Sequence, residues 1–198
     1  RKVPPAQPFG SGAPPRSVCA ASGVSPIERP RFAAVVGRLR ASIVNPWLRG
    51  TTMANVLVVC ATRSGETVRI GELIAEGIRI SGHQATLVKA GEIKNEGGLQ
   101  GFDAYVFGSA TYHGDMLPAM KTLLFLAQKA GLDGKVGGAF GAFGWSGEAP
   151  DRIYETLRHI CKMDLVSGPL RLKSSSLQGG IRMAQDYGRA IAQKLTGT

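Results

Sequence analysis

The sequence has few cysteines and histidines, and it has no long apolar run. Its three cysteines, Cys19, Cys60 and Cys161, lie far apart, with no C-x-x-C pair and no histidine at zinc-ligand spacing. This pattern excludes a zinc site and indicates a reducing compartment, so we expect a cytoplasmic protein. Because no apolar run reaches the roughly 18 residues of a spanning helix, the sequence also predicts no membrane span.

Acidic residues are scarce as well. The chain has 14 Asp and Glu against 24 Lys and Arg, a formal net charge of +10. A charge of this size ordinarily points to nucleic acid or an anionic surface. Residues 1–52 hold eight of the basic side chains and one acidic side chain, a net +7, whereas residues 53–198 hold 16 and 13, a net +3. Since the excess charge lies mainly in the leading segment, we predict no nucleic-acid partner.

The leading segment, residues 1–52, differs in composition from the remainder. It contains eight of the 11 prolines and little regular periodicity, which predicts disorder. Residues 32–44 could form a short basic amphipathic helix that contacts a membrane surface or a partner. An organelle transit segment and a non-native extension are alternative interpretations. We expect Met53 to be the native start and residues 53–198 to form the domain.

Residues 55–67 predict a buried strand, a hydroxyl-rich turn and the start of a helix. The apolar run 56–61 is short, continuous and rich in β-branched residues, as in a central parallel strand. Thr62, Ser64 and Thr67 then surround a single glycine at the helix start. The first N–H groups of a helix have no intrahelical partner, and the helix dipole places partial positive charge there. The turn is therefore either a phosphate site or an ordinary helix cap.

From Met53 onward, strand and helix patterns alternate. This alternation predicts an α/β fold, a doubly wound five-stranded parallel sheet with helices on both faces. The predicted strands are 56–61, 84–89, 104–108, 135–142 and 165–172, the last interrupted by Gly168-Pro169. The predicted helices are 67–81, 118–129, 151–161 and 180–195, with a short irregular helix or loop in 91–102.

The loops that follow the first, third and fourth predicted strands should meet at one edge of this sheet. Ligands of such sheets bind beyond the carboxyl ends of the strands. The second and third loops carry Tyr112, Phe143 and Trp145 beside glycines. Flat side chains that flank a gap suit a planar ring system, although aromatic residues that cap the core would look the same. Together the three loops predict a ligand with a phosphate at one end and a planar ring at the other.

At these loops the sequence resembles the flavodoxins, and more closely the flavodoxin-like domain of the flavodiiron, or A-type, flavoproteins. Residues 62–67, Thr-Arg-Ser-Gly-Glu-Thr, are similar to the family's Thr/Ser-x-Thr/Ser-Gly-x-Thr loop for the phosphate of FMN. Residues 108–111 followed by Leu117-Pro118 resemble the second loop, and residues 139–149 are the most specific match. The resemblance covers residues 54–196, and it implies FMN as cofactor and the strand order 2-1-3-4-5.

The resemblance also implies which residues contact the cofactor. The implied phosphate residues are Thr62, Ser64, Gly65 and Thr67, with Arg63 and Glu66 contributing mainly their backbone. The implied ring contacts are Thr111, Tyr112, His113 and Gly114 on one side and Gly144, Trp145 and Ser146 on the other. The neighbouring residues Ser109, Ala110, Phe143 and Gly147 are also implied to bind the cofactor. No catalytic or metal-binding residues are predicted, because the three histidines of the chain are scattered and cannot build a di-iron site.

The function implied is that of a short-chain flavodoxin, an FMN-binding electron-transfer protein. We expect it to shuttle electrons between a donor and an acceptor redox protein, as a monomer or weak homo-oligomer and as a carrier rather than a stand-alone enzyme. Two alternatives stay open: an NAD(P)H:quinone-type flavin reductase of the same fold, and a non-redox interaction module derived from it. A phospho-receiver domain is rejected because Ala61-Thr62 and Gly108-Ser109 stand where it needs acidic residues.

Overall fold

The computed structural model describes residues 53–144, 146–176 and 179–197. The predictions for the leading segment and for Trp145 lie outside the described residues. Eight strands are described: β1 (Asn55–Ala61), β2 (Gln84–Lys89), β3 (Ala104–Ser109), β4 (Thr111–Tyr112), β5 (Asp115–Met116), β6 (Val136–Ala142), β7 (Asp164–Leu165) and β8 (Leu170–Leu172). The α-helices are α1 (Glu66–Ile80), α2 (Pro118–Ala130), α3 (Glu148–His159) and α4 (Gly180–Thr196).

A parallel sheet forms the centre of the domain. Its order is β2-β1-β3-β6-β7, with β8 pairing β6 beyond β7. The fifth position of the sheet is thus filled by two short strands in succession, because Gly168-Pro169 interrupts the run as predicted. The α/β doubly wound fold and the order 2-1-3-4-5 are confirmed.

Side-chain alternation along the central strands builds two cores. In β1, Leu57 and Val59 pack among residues of α2 and α3, whereas Val56, Val58 and Cys60 pack among residues of α1 and α4. Because successive side chains of a strand point to opposite faces, a continuous apolar run fills both layers. Each face of the sheet is therefore covered by a pair of helices.

Two glycine contacts let α1 and α4 approach closely. A Cβ built on Gly188 would lie 2.2 Å from the Ile74 carbonyl oxygen, and one built on Gly77 would lie 2.2 Å from the Gln185 carbonyl oxygen. Neither position has room for a larger residue, since the neighbouring atoms belong to the backbone. The helix that follows β1 is thereby fixed against the last helix of the chain.

Sequence signals for helix ends agree with the structure. Gly82, with φ 90°, donates its N–H to the Arg79 carbonyl and ends the helix next to the predicted boundary at residue 81. Pro118 occupies the first turn of α2, where its missing N–H costs nothing. The segment predicted as an irregular helix or loop forms two 3-10 helices, Ala90–Glu92 and Glu96–Leu99.

Candidate functional site

The predicted phosphate loop leads from β1 into α1. Gly65 adopts the left-handed conformation (φ 88°) at the helix N-cap, and no side chain caps α1. The Thr62 hydroxyl accepts the Gly65 N–H at 2.9 Å, and the helical ladder begins with the Arg69 N–H and the Gly65 carbonyl at 3.1 Å. The N–H groups of the first turn are therefore available to an anion.

Two buried hydroxyl groups beside this edge of the sheet have no hydrogen-bond partner among the described residues. They belong to Thr67, which is fully buried in the first turn of α1, and to Thr111. A buried polar group without a partner costs free energy, so native proteins rarely keep one without a reason. The chemistry of both hydroxyls fits a ligand that brings its own acceptors.

The second loop contains a hairpin that was not predicted. Strands β4 and β5 pair Tyr112 with Asp115, which leaves a two-residue turn in which His113 and Gly114 have φ values of 50° and 71°. A two-residue hairpin turn with two positive φ values is of type I′. The pair His113-Gly114 was the available sequence signal for this turn, but His-Gly indicates a type I′ turn less strongly than Asn-Gly does. The hairpin projects the predicted ring contacts from the sheet edge.

Ser109 holds the base of this hairpin. It is fully buried, and its hydroxyl donates to the Ala110 carbonyl at 2.9 Å and accepts the Leu117 N–H at 3.0 Å. Both ends of the hairpin segment are thereby joined. Ser109 therefore has a structural role here, and its side chain does not line the cavity described next.

A cavity of about 540 Å³ opens between the phosphate loop, the hairpin and the loop after β6. Its lining residues are Ser64, Glu66, Ala110, Thr111, Tyr112, His113, Gly114, Ala142, Phe143, Gly144, Ser146 and Lys173. Of these, Ala142 and Lys173 were not predicted. The described residues that were predicted but do not line it are Thr62, Arg63, Gly65, Thr67, Ser109 and Gly147.

Charged side chains surround the hairpin. The Arg63 guanidinium lies 5.1 Å from the centre of the Tyr112 ring, which joins the phosphate loop to the hairpin by a cation–π contact. Asp115 pairs with Lys121 and, at 3.2 Å, with Arg152. The Lys121 ammonium is the main cause that lowers the pKa of Asp115. The negative charge of Asp115 is therefore offset by two cations.

Glu66 connects the phosphate loop to the segment after β8. Its Oε1 atom accepts the Ser174 hydroxyl at 2.8 Å and also the Ser175 N–H. The hydrogen bond from the Ser175 backbone is the largest cause that lowers the pKa of Glu66. The sequence predicted mainly a backbone contribution from Glu66. Its side-chain contact has no local signal, because it spans more than 100 residues and depends on the tertiary fold.

Cys60 lies just before this site but does not take part in its chemistry. The thiol is 2% exposed, and burial raises its pKa to about 12. A thiol that stays protonated near neutral pH is a poor nucleophile. Cys60 is therefore a core residue at the end of β1.

In residues 53–144, 146–176 and 179–197, no group of three or more His, Cys, Asp or Glu side chains is arranged to hold a metal ion. Over the same ranges, no helix has both the length and the apolar character needed to cross a bilayer.

Comparison with known proteins gives relatives of two kinds, although no family model matches the chain. A type A flavoprotein of Rhodobacter capsulatus is 29% identical over 150 residues, which are 72% of this chain and 33% of that protein. The flavodoxin of Nitratidesulfovibrio vulgaris is 29% identical over 92 residues, 46% of this chain and 62% of that protein. The chain thus spans about a third of the length of the type A flavoprotein.

Solved structures give the same two groups. An archaeal flavodoxin superimposes with a TM-score of 0.67 at 29% identity, covering 71% of this chain and 98% of that one. The flavodiiron protein of Giardia intestinalis superimposes with a TM-score of 0.66 at 25% identity, covering 72% of this chain and 36% of that one. The match reaches a whole flavodoxin but only part of the flavodiiron protein.

The fold and its relatives define an α/β domain with the architecture of a flavodoxin. More particularly, the chain carries a flavodoxin-like domain related to flavodoxins and to the corresponding domain of the flavodiiron A-type flavoproteins, as the resemblance implied. FMN is the cofactor of domains of this class.

Proposed function

We propose that residues 53–198 bind FMN and carry electrons between a donor and an acceptor redox protein, as a short-chain flavodoxin does. One observation supports this most strongly. The N-terminus of α1 and the hairpin β4–β5 flank the same edge of the sheet. Each has a buried hydroxyl, on Thr67 and Thr111, to which no described residue forms a hydrogen bond. Such a site suits a ligand with a phosphate at one end and a polar ring at the other.

The roles of the residues follow from their positions. The N–H groups of residues 66–68, with the hydroxyls of Ser64 and Thr67, would hold the phosphate. The hairpin residues 111–114 and the segment 143–147, which includes Trp145, would enclose the flavin ring. Thr62 would keep the loop in shape by accepting the Gly65 N–H, while its own proton stays free for the ligand. Bound FMN would supply the electron transfer itself.

FMN uptake by the purified full chain tests the proposal directly. The protein is mixed with FMN, passed through a desalting column and examined by absorption spectroscopy, then reduced and reoxidised in steps. We expect one FMN per chain and reversible reduction. A protein that stays colourless after FMN addition would reject the proposal. Sustained NAD(P)H oxidation with a quinone acceptor would instead identify a flavin reductase.

Thr67→Val tests the phosphate end at an unchanged side-chain volume. We expect FMN affinity to fall by about 1 kcal/mol, roughly fivefold, because one hydrogen bond to the ligand is lost. The apoprotein should not lose stability, since the Thr67 hydroxyl has no hydrogen-bond partner within the described part of the chain. Thr122→Val is the control, because Thr122 lies on α2 rather than in the phosphate loop and its hydroxyl donates to the Pro118 carbonyl. Equal FMN affinity in wild type and Thr67→Val would remove this hydroxyl from the site.

Trp145→Ala tests the ring end. Loss of a large stacked ring should weaken FMN binding by about 1–3 kcal/mol. The second tryptophan, Trp47, lies in the leading segment, so Trp47→Ala provides a control that also removes one indole. Fluorescence quenching of free FMN measures both affinities. A similar affinity in the two variants would mean that Trp145 does not stack on the flavin.

A further inference from the structure

Lys173 is a basic side chain in the cavity lining that no sequence signal had placed there. It follows β8 and opens the segment 173–176, whose serines bind Glu66 at the start of α1. The Ser174 hydroxyl and the Ser175 N–H both reach the same Oε1 atom of Glu66. These hydrogen bonds attach the segment to the phosphate loop. Lys173, next to Ser174 in sequence, shares the cavity lining with Ser64 and Glu66 of that loop.

The charges at this end of the cavity oppose one another. Glu66 places a carboxylate in the first turn of α1, where the phosphate of FMN would bind. Because the Glu66 carboxylate and the phosphate are both negatively charged, their repulsion would weaken phosphate binding. Arg69 lies 3.9 Å from the second carboxylate oxygen, but its side chain is 71% exposed, and Arg63 lies over Tyr112. Lys173 has no ion pair within the described ranges, so its charge is available to a ligand.

We infer that Lys173 is a specificity-determining residue that selects the phosphorylated flavin, its ammonium group contacting the FMN phosphate and offsetting the charge of Glu66. Glu66 acts as a positioning residue, because it holds the segment that carries Lys173. This inference rests on the proposed function, which supplies FMN as the ligand. The role of Lys173 can be tested separately from flavin binding, because FMN and riboflavin share the ring and differ in the phosphate.

A comparison of FMN with riboflavin tests the inference. The affinities of both flavins are measured by fluorescence quenching at low ionic strength for wild type, Lys173→Met, Lys173→Arg and Lys129→Met. Lys129 is the control because it lies in the last turn of α2, away from the edge at which α2 begins. We expect Lys173→Met to bind FMN about threefold to tenfold more weakly and riboflavin equally well, the scale of one charge-assisted contact at an exposed side chain.

Three further measurements distinguish an effect of the Lys173 charge from an effect on the shape of the cavity. Lys173→Arg should keep most of the FMN preference, because it keeps the charge. Added salt should reduce the FMN preference of wild type more than that of Lys173→Met, because salt screens exposed charges. Glu66→Gln retains a side-chain oxygen for Ser174 and Ser175 and should bind FMN up to about fivefold more tightly, with riboflavin unchanged.

The outcomes that overturn the inference are specific. An unchanged ratio of FMN to riboflavin affinity in Lys173→Met would show that the ammonium group does not contact the phosphate. An equal loss of both flavins would show that Lys173 supports the shape of the cavity rather than phosphate recognition, and would equally overturn it. Wild-type protein that binds neither flavin would reject the proposed function, and this inference with it.

Discussion

The Tyr187 hydroxyl lies 3.1 Å from both the backbone nitrogen and the carbonyl oxygen of Ala139, 48 residues earlier in the chain. The same hydroxyl lies 3.1 Å from the Gly168 carbonyl oxygen. Strand β6 pairs with β7 at Val136 and Gly137 and with β8 from Phe140 onward. Residues 138 and 139 of β6 therefore face the gap between β7 and β8. A side chain of α4 thus takes the place of the missing part of the fifth strand.

Tyr187→Phe should therefore destabilise the domain by about 1–3 kcal/mol. The substitution keeps the ring but leaves the Ala139 N–H and carbonyl without their partner in a largely buried place. Urea unfolding followed by circular dichroism measures the change, and Tyr112→Phe, at an exposed ring, is the control, with an expected change below about 0.5 kcal/mol. Equal stability of the two variants would mean that other groups form hydrogen bonds with the Ala139 N–H and carbonyl.

Gly188→Ala tests the close packing of α1 and α4. The new methyl group would lie 2.2 Å from the Ile74 carbonyl oxygen and 3.0 Å from the Ile78 nitrogen, so the two helices must separate. We expect a loss of about 3 kcal/mol, at the upper end of overpacking effects. Gly91→Ala is the control, because no atom of a described residue lies within 4 Å of the added methyl group. A thermal midpoint for Gly188→Ala equal to that of Gly91→Ala would contradict the contact.

Much of the fold followed from the sequence because strand and helix periods, glycine stops and Pro118 are local signals. The interruption at Gly168-Pro169 was also visible, since proline cannot donate to a sheet. The sequence did not show that Tyr187 fills this interruption, because Tyr187 lies in an ordinary helical pattern and only the fold brings it to β6. Local patterns therefore located the elements but not the long-range contacts that join them.

The same distinction applies to the candidate site. The loops after the first, third and fourth predicted strands could be placed at one edge by topology alone. The loop after β8 lies at that edge by the same rule, so Lys173 could have been considered. Its approach to the phosphate loop, however, depends on the hydrogen bonds of Glu66 with Ser174 and Ser175, for which the sequence has no local signal.

Glu66 gives the domain an acid-sensitive contact. Its pKa is lower in the folded protein than the ordinary value of about 4.3, so the contact stabilises the fold above that value and is lost as pH falls through the lowered pKa. We expect wild type to lose more stability than Glu66→Gln between pH 6 and about pH 3. Urea midpoints across this range measure the difference. Parallel pH profiles would show that the hydrogen bonds of Glu66 do not favour its charged form.

The hairpin turn predicts a residue preference at position 113. His113 has φ 50°, a conformation that histidine and asparagine adopt more readily than β-branched residues. His113→Asn should leave stability within about 0.5 kcal/mol of wild type, whereas His113→Val should lose about 1–2 kcal/mol. Because His113 and Gly114 line the cavity, the valine variant should also bind FMN more weakly. Urea unfolding and flavin quenching measure the two effects. If valine were tolerated as well as asparagine, the turn in solution would not be of type I′, and the edge of the cavity formed by the hairpin would have a different backbone.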